Sequence, residues 1–364
     1  MATDRAGELS GRGGIAAAQA ASEERLTIRI KPAPPFRLDL TVRVLQRHPA
    51  NLIDRFDGMA YRRVLIIQDR PVSVTVIQTA PPERPMLEVT VKGAHLPPIT
   101  RCRTMSALQR LLGLTCCLDD FDRVAADDAM LRSLAGAHVG LKPPRSLTLF
   151  EGLVNAIACQ QVTAGLGVRL VNQLAATSAQ RPPAGQSTVH AFPDPGDVAD
   201  LTADDLRSIG FSRSKAESIV CVARSLTDGR LDPDGFEDRD NAAAAARLGA
   251  LRGVGPWTID EVLLRGLGRL EVLPASDASN RRQLQQWLRL LTPLDRSGVE
   301  HALARLRGSD PLSSHAGAPE RKRRRRKHRV GRTTPDGDRH TTRSPLRAPR
   351  TSSTARAATT CRSS

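Results

Sequence analysis

The alternation of apolar and polar positions changes character once along the chain. From residue 26 to 30 the two classes alternate, which predicts a half-buried strand. Residues 63–67 and 71–77 are β-branched runs separated by Gln68-Asp69-Arg70, the pattern of a hairpin, and 86–91 predicts a further strand. Residues 38–45 fit a strand or a helix. Residues 104–114 and 120–134 repeat their apolar positions at helical spacing. Residues 25–138 therefore predict an α+β N-terminal domain, an antiparallel sheet with helices.

Residues 139–145, Val-Gly-Leu-Lys-Pro-Pro-Arg, predict a linker, because two successive prolines block a helix. Beyond it the periodicity is helical throughout, so 139–308 predicts an all-α domain. The apolar stretch 149–174 exceeds an average helix and should be two, broken near Cys159-Gln160-Gln161. Residues 180–197 are polar and rich in Pro and Gly, which predicts a loop. Thr202 followed by Asp205 resembles a capping box, and Ser212 suits the cap of a helix over 213–226. A loop with six acidic residues spans 228–240. Helices are predicted over 241–251, 256–267 and 279–291, with another beginning at 299. Residues 1–24, rich in Ala, Gly and Ser, and 309–364, without periodicity or aromatics, predict disorder.

The charge is distributed as unevenly as the pattern. Of the net +16 carried by 364 residues, the stretch 309–364 supplies +11, from 15 Lys/Arg against 4 Asp/Glu. Seven consecutive cations run from Arg321 to Lys327, so the basic pI belongs mostly to a tail suited to nucleic acid. The body is only mildly cationic. Six cysteines (Cys102, Cys116, Cys117, Cys159, Cys221, Cys361) show no CxxC spacing and no four-cysteine iron–sulfur pattern, which predicts free thiols in a reducing cytosol. No charged-then-apolar leader opens the chain and no apolar run approaches a membrane span. A cytoplasmic protein without a membrane partner is expected.

The candidate chemistry lies in 251–282, LRGVGPWTIDEVLLRGLGRLEVLPASDASNRR. Gly253-Val254-Gly255 between two predicted helices reads as a helix-hairpin-helix turn, since glycine alone takes positive φ cheaply. Such a turn and the helix start behind it present backbone N–H groups that suit a phosphate. Pro256 fits a first helical position and Gly268 a C-terminal cap. By itself the turn could simply join packed helices. Asp277, behind the apolar run 270–273, sharpens it.

Taken together, 25–306 resembles the DNA-3-methyladenine glycosylase II family of helix-hairpin-helix base-excision DNA glycosylases. FEGLVNAIACQQVTA is similar to that family's first core helix and wedge loop. LTADDLRSIGFSRSKAESIVCVA is similar to its next helical pair, LRGVGPWTIDEVLLRGLG to its hairpin, and LPASDASNRR to the turn bearing its aspartate. The resemblance implies a monofunctional enzyme that flips alkylated purines out of damaged double-stranded DNA and hydrolyses the N-glycosidic bond. It places Asp277 as the catalytic aspartate and Trp257 in the substrate pocket, where lyase members keep a lysine and where its ring could stack on the cationic base. Gln161 falls at the wedge that fills the gap left by the flipped base. Glu261 falls where relatives have a pocket tyrosine, which leaves the base preference open. Backbone contacts to DNA would come from Gly253, Val254, Gly255, Thr258 and Arg281. The carbonyls of Gly249, Leu251 and Val254 would hold a structural Na+ or K+, with no other cofactor and no iron–sulfur cluster. A nucleoid-associated monomer is expected.

Each residue also has a plainer reading. Asp277 could only cap the helix from Ala278, Trp257 could be a core aromatic, Gln161 a surface loop residue, and Arg281 and Arg282 a solvated face. The family ends with one more aromatic helix. Its loss after about Leu306, followed by Arg, Thr, Ser, Pro and Ala, fits either a genuine disordered tail or a shifted reading frame. The alternatives to an alkylpurine glycosylase are a catalytically degenerate DNA-binding protein and a glycosylase for another lesion, such as a deaminated base.

Overall fold

The computed structural model describes residues 23–177, 189–236 and 238–306. The chain divides into a compact unit Met1–Pro311 and a second unit Leu312–Ser364. The latter, like most of 1–24, lies outside the described residues, and so do the expectations of disorder made for them.

The first unit begins with an antiparallel sheet. Its strands are β1 (Glu24–Ile30), β2 (Arg55–Phe56), β3 (Ala60–Ile67), β4 (Arg70–Gln78) and β5 (Leu87–Gly93), in the order β1-β5-β4-β3-β2. The β3–β4 hairpin turns on Gln68 (φ +50°) and Asp69 (φ +58°), the left-handed pair a tight two-residue connection requires. Residues 38–45, open between strand and helix, form α1 (Leu38–Gln46). Its buried Leu38 and Val42, four apart, lie with Leu108, Leu111 and Leu112 of α2 (Ile99–Leu112) in one core with Ile28, Leu65, Val74 and Val89 of the sheet.

The helix predicted over 120–134 is two, α3 (Asp119–Asp127) and α4 (Ala129–Ala137). Asp128 interrupts it in extended backbone, and its carboxylate caps the second helix by accepting from the Leu131 N–H at 2.9 Å.

After the proline-bearing segment the chain is helical: α5 (Leu149–Cys159), α6 (Ala164–Thr177), α7 (Pro195–Ala199), α8 (Ala203–Ser208), α9 (Arg213–Thr227), α10 (Asn241–Gly249), α11 (Pro256–Glu261), α12 (Ala278–Trp287) and α13 (Arg296–Leu306). Thr202 and Asp205 form the reciprocal capping box and Ser212 caps α9. The short α7, with its Asp194–Asp197 capping box, begins inside the predicted loop and runs two residues past it. The helix expected over 256–267 widens into a π-helix over Val262–Leu267. Donors from elsewhere take its carbonyls: Arg110 reaches the Gly266 oxygen at 2.6 Å and the Ser146 N–H the Arg265 oxygen at 2.8 Å. α12 stops four residues earlier than expected, at a left-handed Arg289 (φ +51°) whose follower, Leu290, bonds back to Gln285.

The helices bury a separate core, with Leu153, Ile157, Leu174, Ile219, Val222 and Val262 at its centre. Sheet and helices meet through a buried charge cluster. Arg63 of β3, 1% exposed, donates to Asp54 at 2.6 Å and to Glu151 of α5 at 2.5 Å, while the Tyr61 hydroxyl donates to Asp54 at 2.7 Å. An arginine so buried persists only when paired and hydrogen-bonded.

Candidate active site

α5 and α6 are separated by the short turn expected near Cys159-Gln160-Gln161. Gln161 is exposed and left-handed (φ +53°), a conformation a non-glycine residue holds only under constraint. The Gln160 side chain points the other way: its amide donates to the Gly253 carbonyl at 2.9 Å and to the Thr258 hydroxyl at 2.7 Å. Sequence reasoning singled out Gln161 and passed over Gln160. The signal available was the amide pair itself, two adjacent glutamines at a helix end.

The hairpin runs from α10 to α11. Gly253 has φ +74°, and a Cβ there would stand 2.0 Å from the Ser218 hydroxyl of α9. Gly255 differs from the expectation of two positive-φ glycines. It sits at φ −92° as the extended N-cap of α11, with open space where a Cβ would be. Val254 between them is buried in the helical core and anchors the turn. Thr258, expected at the DNA, is 1% exposed as a whole residue, with its hydroxyl engaged by Gln160.

Asp277 is the N-cap of α12. Its Oδ1 accepts from the Ser279 and Asn280 N–H groups at 2.7 and 3.0 Å, and its Oδ2 accepts from the Trp257 indole N–H at 2.9 Å. The cap and the tryptophan contact coexist, so the carboxylate is held at both oxygens. Beneath this turn lies a group the sequence did not reveal. Asp260, 6% exposed, accepts from the Ser276 hydroxyl at 3.2 Å and faces Arg296 at 3.7 Å. Burial raises the Asp260 pKa above the ordinary carboxylate range. Arg281 folds back, donating to the Ala275 carbonyl at 2.9 Å, so its guanidinium braces the Asp277 turn and does not project freely toward DNA.

Glu261 is one helical turn beyond Trp257, on the same face of α11. It pairs with Arg47 at 2.8 Å, with both side chains mostly buried. Arg47 comes from the end of α1 in left-handed backbone (φ +57°) and also approaches the Cys159 sulfur at 3.9 Å. Arg265, another turn on, is pulled down to about 10 by burial and by the neighbouring Arg47 charge. A broad apolar hollow of about 890 Å³ lies elsewhere, lined by Leu118, Phe121, Leu264, Leu270 and Trp287 and touching neither Trp257 nor Asp277. Among the described residues no three His, Cys, Asp or Glu side chains gather as a metal site. No helix there is long and apolar enough to cross a membrane.

A helix-hairpin-helix turn joined to a capped, tryptophan-bonded aspartate defines a class. Residues 154–307 match the HhH-GPD superfamily of base excision DNA repair proteins. The Bacillus subtilis protein YfjP is 23% identical over 293 residues, covering 79% of this chain and 96% of its own. DNA-3-methyladenine glycosylase 2 of Escherichia coli is 23% identical over 244 residues, covering 67% of this chain and 82% of its own. The solved structure of the 3-methyladenine DNA-glycosylase from Archaeoglobus fulgidus superposes with a TM-score of 0.66 at 23% identity, covering 78% of this chain and 93% of that one. It shares the fold.

Proposed function

We propose that the protein is a monofunctional DNA glycosylase of base excision repair, acting as a monomer on damaged duplex DNA and removing alkylated purines of the 3-methyladenine class. The observation that carries this reading is the Asp277 carboxylate, fixed by two backbone N–H groups and by Trp257 at 2.9 Å. Alkylation at a ring nitrogen makes a purine cationic and a good leaving group, so its departure needs no strong acid. It needs an anion beside the sugar as positive charge develops. The C1′–N bond breaks with its electron pair leaving on the base. The oxygen of water then bonds to C1′, and its proton passes to Asp277 or to solvent. A lysine that could replace water as acceptor is absent from residues 216–308, and the family resemblance puts Trp257 where lyase members keep theirs. The names of the Escherichia coli and Archaeoglobus fulgidus relatives support the same class of base.

The hairpin would take the phosphate backbone at the Gly253-Val254-Gly255 turn through the N–H groups of the two glycines, the Val254 N–H donating to the Leu251 carbonyl at 3.2 Å, with little dependence on sequence. A structural Na+ or K+ would be held by the carbonyls of Gly249, which ends α10, and of Leu251 and Val254 in the hairpin, the Leu251 oxygen also accepting the Val254 N–H at 3.2 Å. A second reading, a glycosylase for a different lesion, is favoured by the Arg47–Glu261 pair, an ionic element one turn from Trp257.

The test is release of free bases from methylated duplex DNA, resolved by chromatography. The expected result is 3-methyladenine or 7-methylguanine from the native protein. Asp277→Asn should lose release by about a hundredfold or more, the scale of removing a transition-state charge partner, and retain DNA binding. Binding without release by the native protein would overturn the assignment.

A further inference from the structure

Several contacts converge on the end of α5. The Lys215 ammonium donates to the Ala158 carbonyl at 2.9 Å and to the Gln160 carbonyl at 2.8 Å. Carbonyls at a helix C-terminus have no later helical N–H to bond, and a cation there meets the negative end of the helix dipole. Lys215 itself stands in the first turn of α9, at that helix's positive end, where a cation is disfavoured. Its place is explained by what it reaches, not by its own helix. Burial pulls its ammonium below the ordinary lysine range.

The α5 end is confined on its other sides as well. A Cβ on Gly167 of α6 would lie 2.4 Å from the Cys159 sulfur, so α6 presses directly on it. Gln160 then ties the turn to the hairpin through Gly253 and Thr258. Between these anchors the next residue, Gln161, is forced into left-handed backbone and projects into solvent.

We propose that Lys215 is a positioning residue for base extrusion. By gripping the Gln160 carbonyl it fixes the height and direction at which Gln161 leaves the protein surface. The proposal rests on the reading of Gln161 as the wedge. A wedge matters only when a base must be pulled from a pair, since an unpaired base is extruded at little cost. Lys215 should therefore affect paired lesions and spare unpaired ones.

The experiment measures single-turnover release of 7-methylguanine from two duplexes, one with the lesion opposite cytosine and one with it opposite a tetrahydrofuran abasic analogue. Lys215→Met is expected to slow release from the paired duplex at least about tenfold and from the abasic-opposed duplex less than about twofold, a selectivity that follows from the cost of unpairing. Lys215→Arg, which keeps a donor, should recover part of the loss. Fluorescence of 2-aminopurine beside the lesion should show a smaller unstacking amplitude in Lys215→Met at saturating protein. Equal slowing of both duplexes would assign Lys215 a merely structural role and overturn the proposal. So would no change in Lys215→Met while Gln161→Ala shows the paired-selective loss. If Gln161→Ala leaves the ratio of the two rates unchanged, the wedge reading itself falls.

Discussion

The indole N–H of Trp257 donates to Asp277 Oδ2 at 2.9 Å, joining the first turn of the hairpin's second helix to the cap of α12. The other carboxylate oxygen is held by two backbone N–H groups of the cap. The aspartate is thus oriented from both sides before any substrate arrives, and reorientation need not accompany the reaction. Trp257 holds one oxygen of the carboxylate through this bond.

Trp257→Phe keeps the ring and removes the donor. A hydrogen bond to a charged group contributes about 1.5–3 kcal/mol, so kcat for base release should fall roughly tenfold to a hundredfold. DNA affinity should stay within about twofold of native, since this bond joins two protein side chains and the proposed phosphate contacts lie at the hairpin. Unchanged kcat would show that Asp277 needs no partner on Oδ2. Steady-state kinetics beside binding titrations separates the two effects.

The two hairpin glycines should behave differently. Gly253→Ala combines a positive φ with a clash against the Ser218 hydroxyl, and should destabilise the fold by about 1–2 kcal/mol or displace the turn. Gly255→Ala meets open space at an ordinary φ. It should leave thermal stability unchanged and weaken duplex binding, if a phosphate approaches the backbone there. Thermal melts and fluorescence anisotropy on an undamaged duplex check both. Equal binding by native protein and Gly255→Ala would move the phosphate contact elsewhere.

Arg47 and Glu261 test how the sheet-bearing half supports the site. Removing one partner leaves the other a mostly buried charge, at about 1–3 kcal/mol. Arg47→Met and Glu261→Gln should each lower the melting temperature by several degrees. The double variant should recover much of the loss, because neither charge then lacks its partner. Strict additivity of the two losses would mean that the pair contributes nothing. Release of 7-methylguanine relative to hypoxanthine by the same variants reports whether the pair also shapes base preference.

Asp260 gives a pH dependence of known sign. Burial raises its folded pKa above the unfolded value of 3.8. The folded state therefore binds this proton more readily, and the group's contribution to stability is fully present below 3.8 and is lost as pH rises through the folded pKa. Relative to Asp260→Asn, the native protein should be more stable in acid than at neutral pH. Urea denaturation of both proteins from acid to neutral pH measures this. A stability difference independent of pH would mean that the carboxyl is not perturbed.

What the sequence determined by itself is whatever nearest neighbours along the chain decide. The period-two runs gave the sheet, Gln68-Asp69 the hairpin between β3 and β4, and Thr202 with Asp205 a capping box, because each depends on residues within a turn or a strand. The glycine-bearing hairpin and Asp277 were legible for the same reason, and Asp277 as an α12 cap follows from local chemistry alone. Where a distant side chain intervened, local rules failed. Arg110 and Ser146 take carbonyls from the second half of the hairpin helix and accompany its widening into a π-helix. Tertiary structure also decided what surrounds the aspartate. Trp257 meets it across 20 residues, Gln160 reaches Thr258 across 98, and Arg47 reaches Glu261 across 214. Periodicity reports which face of an element is buried, but not which polar group waits on the facing element. Satisfying those buried polar groups is a property of packing. It turned Thr258 inward, folded Arg281 back on its own turn, and set Asp260 beneath the site.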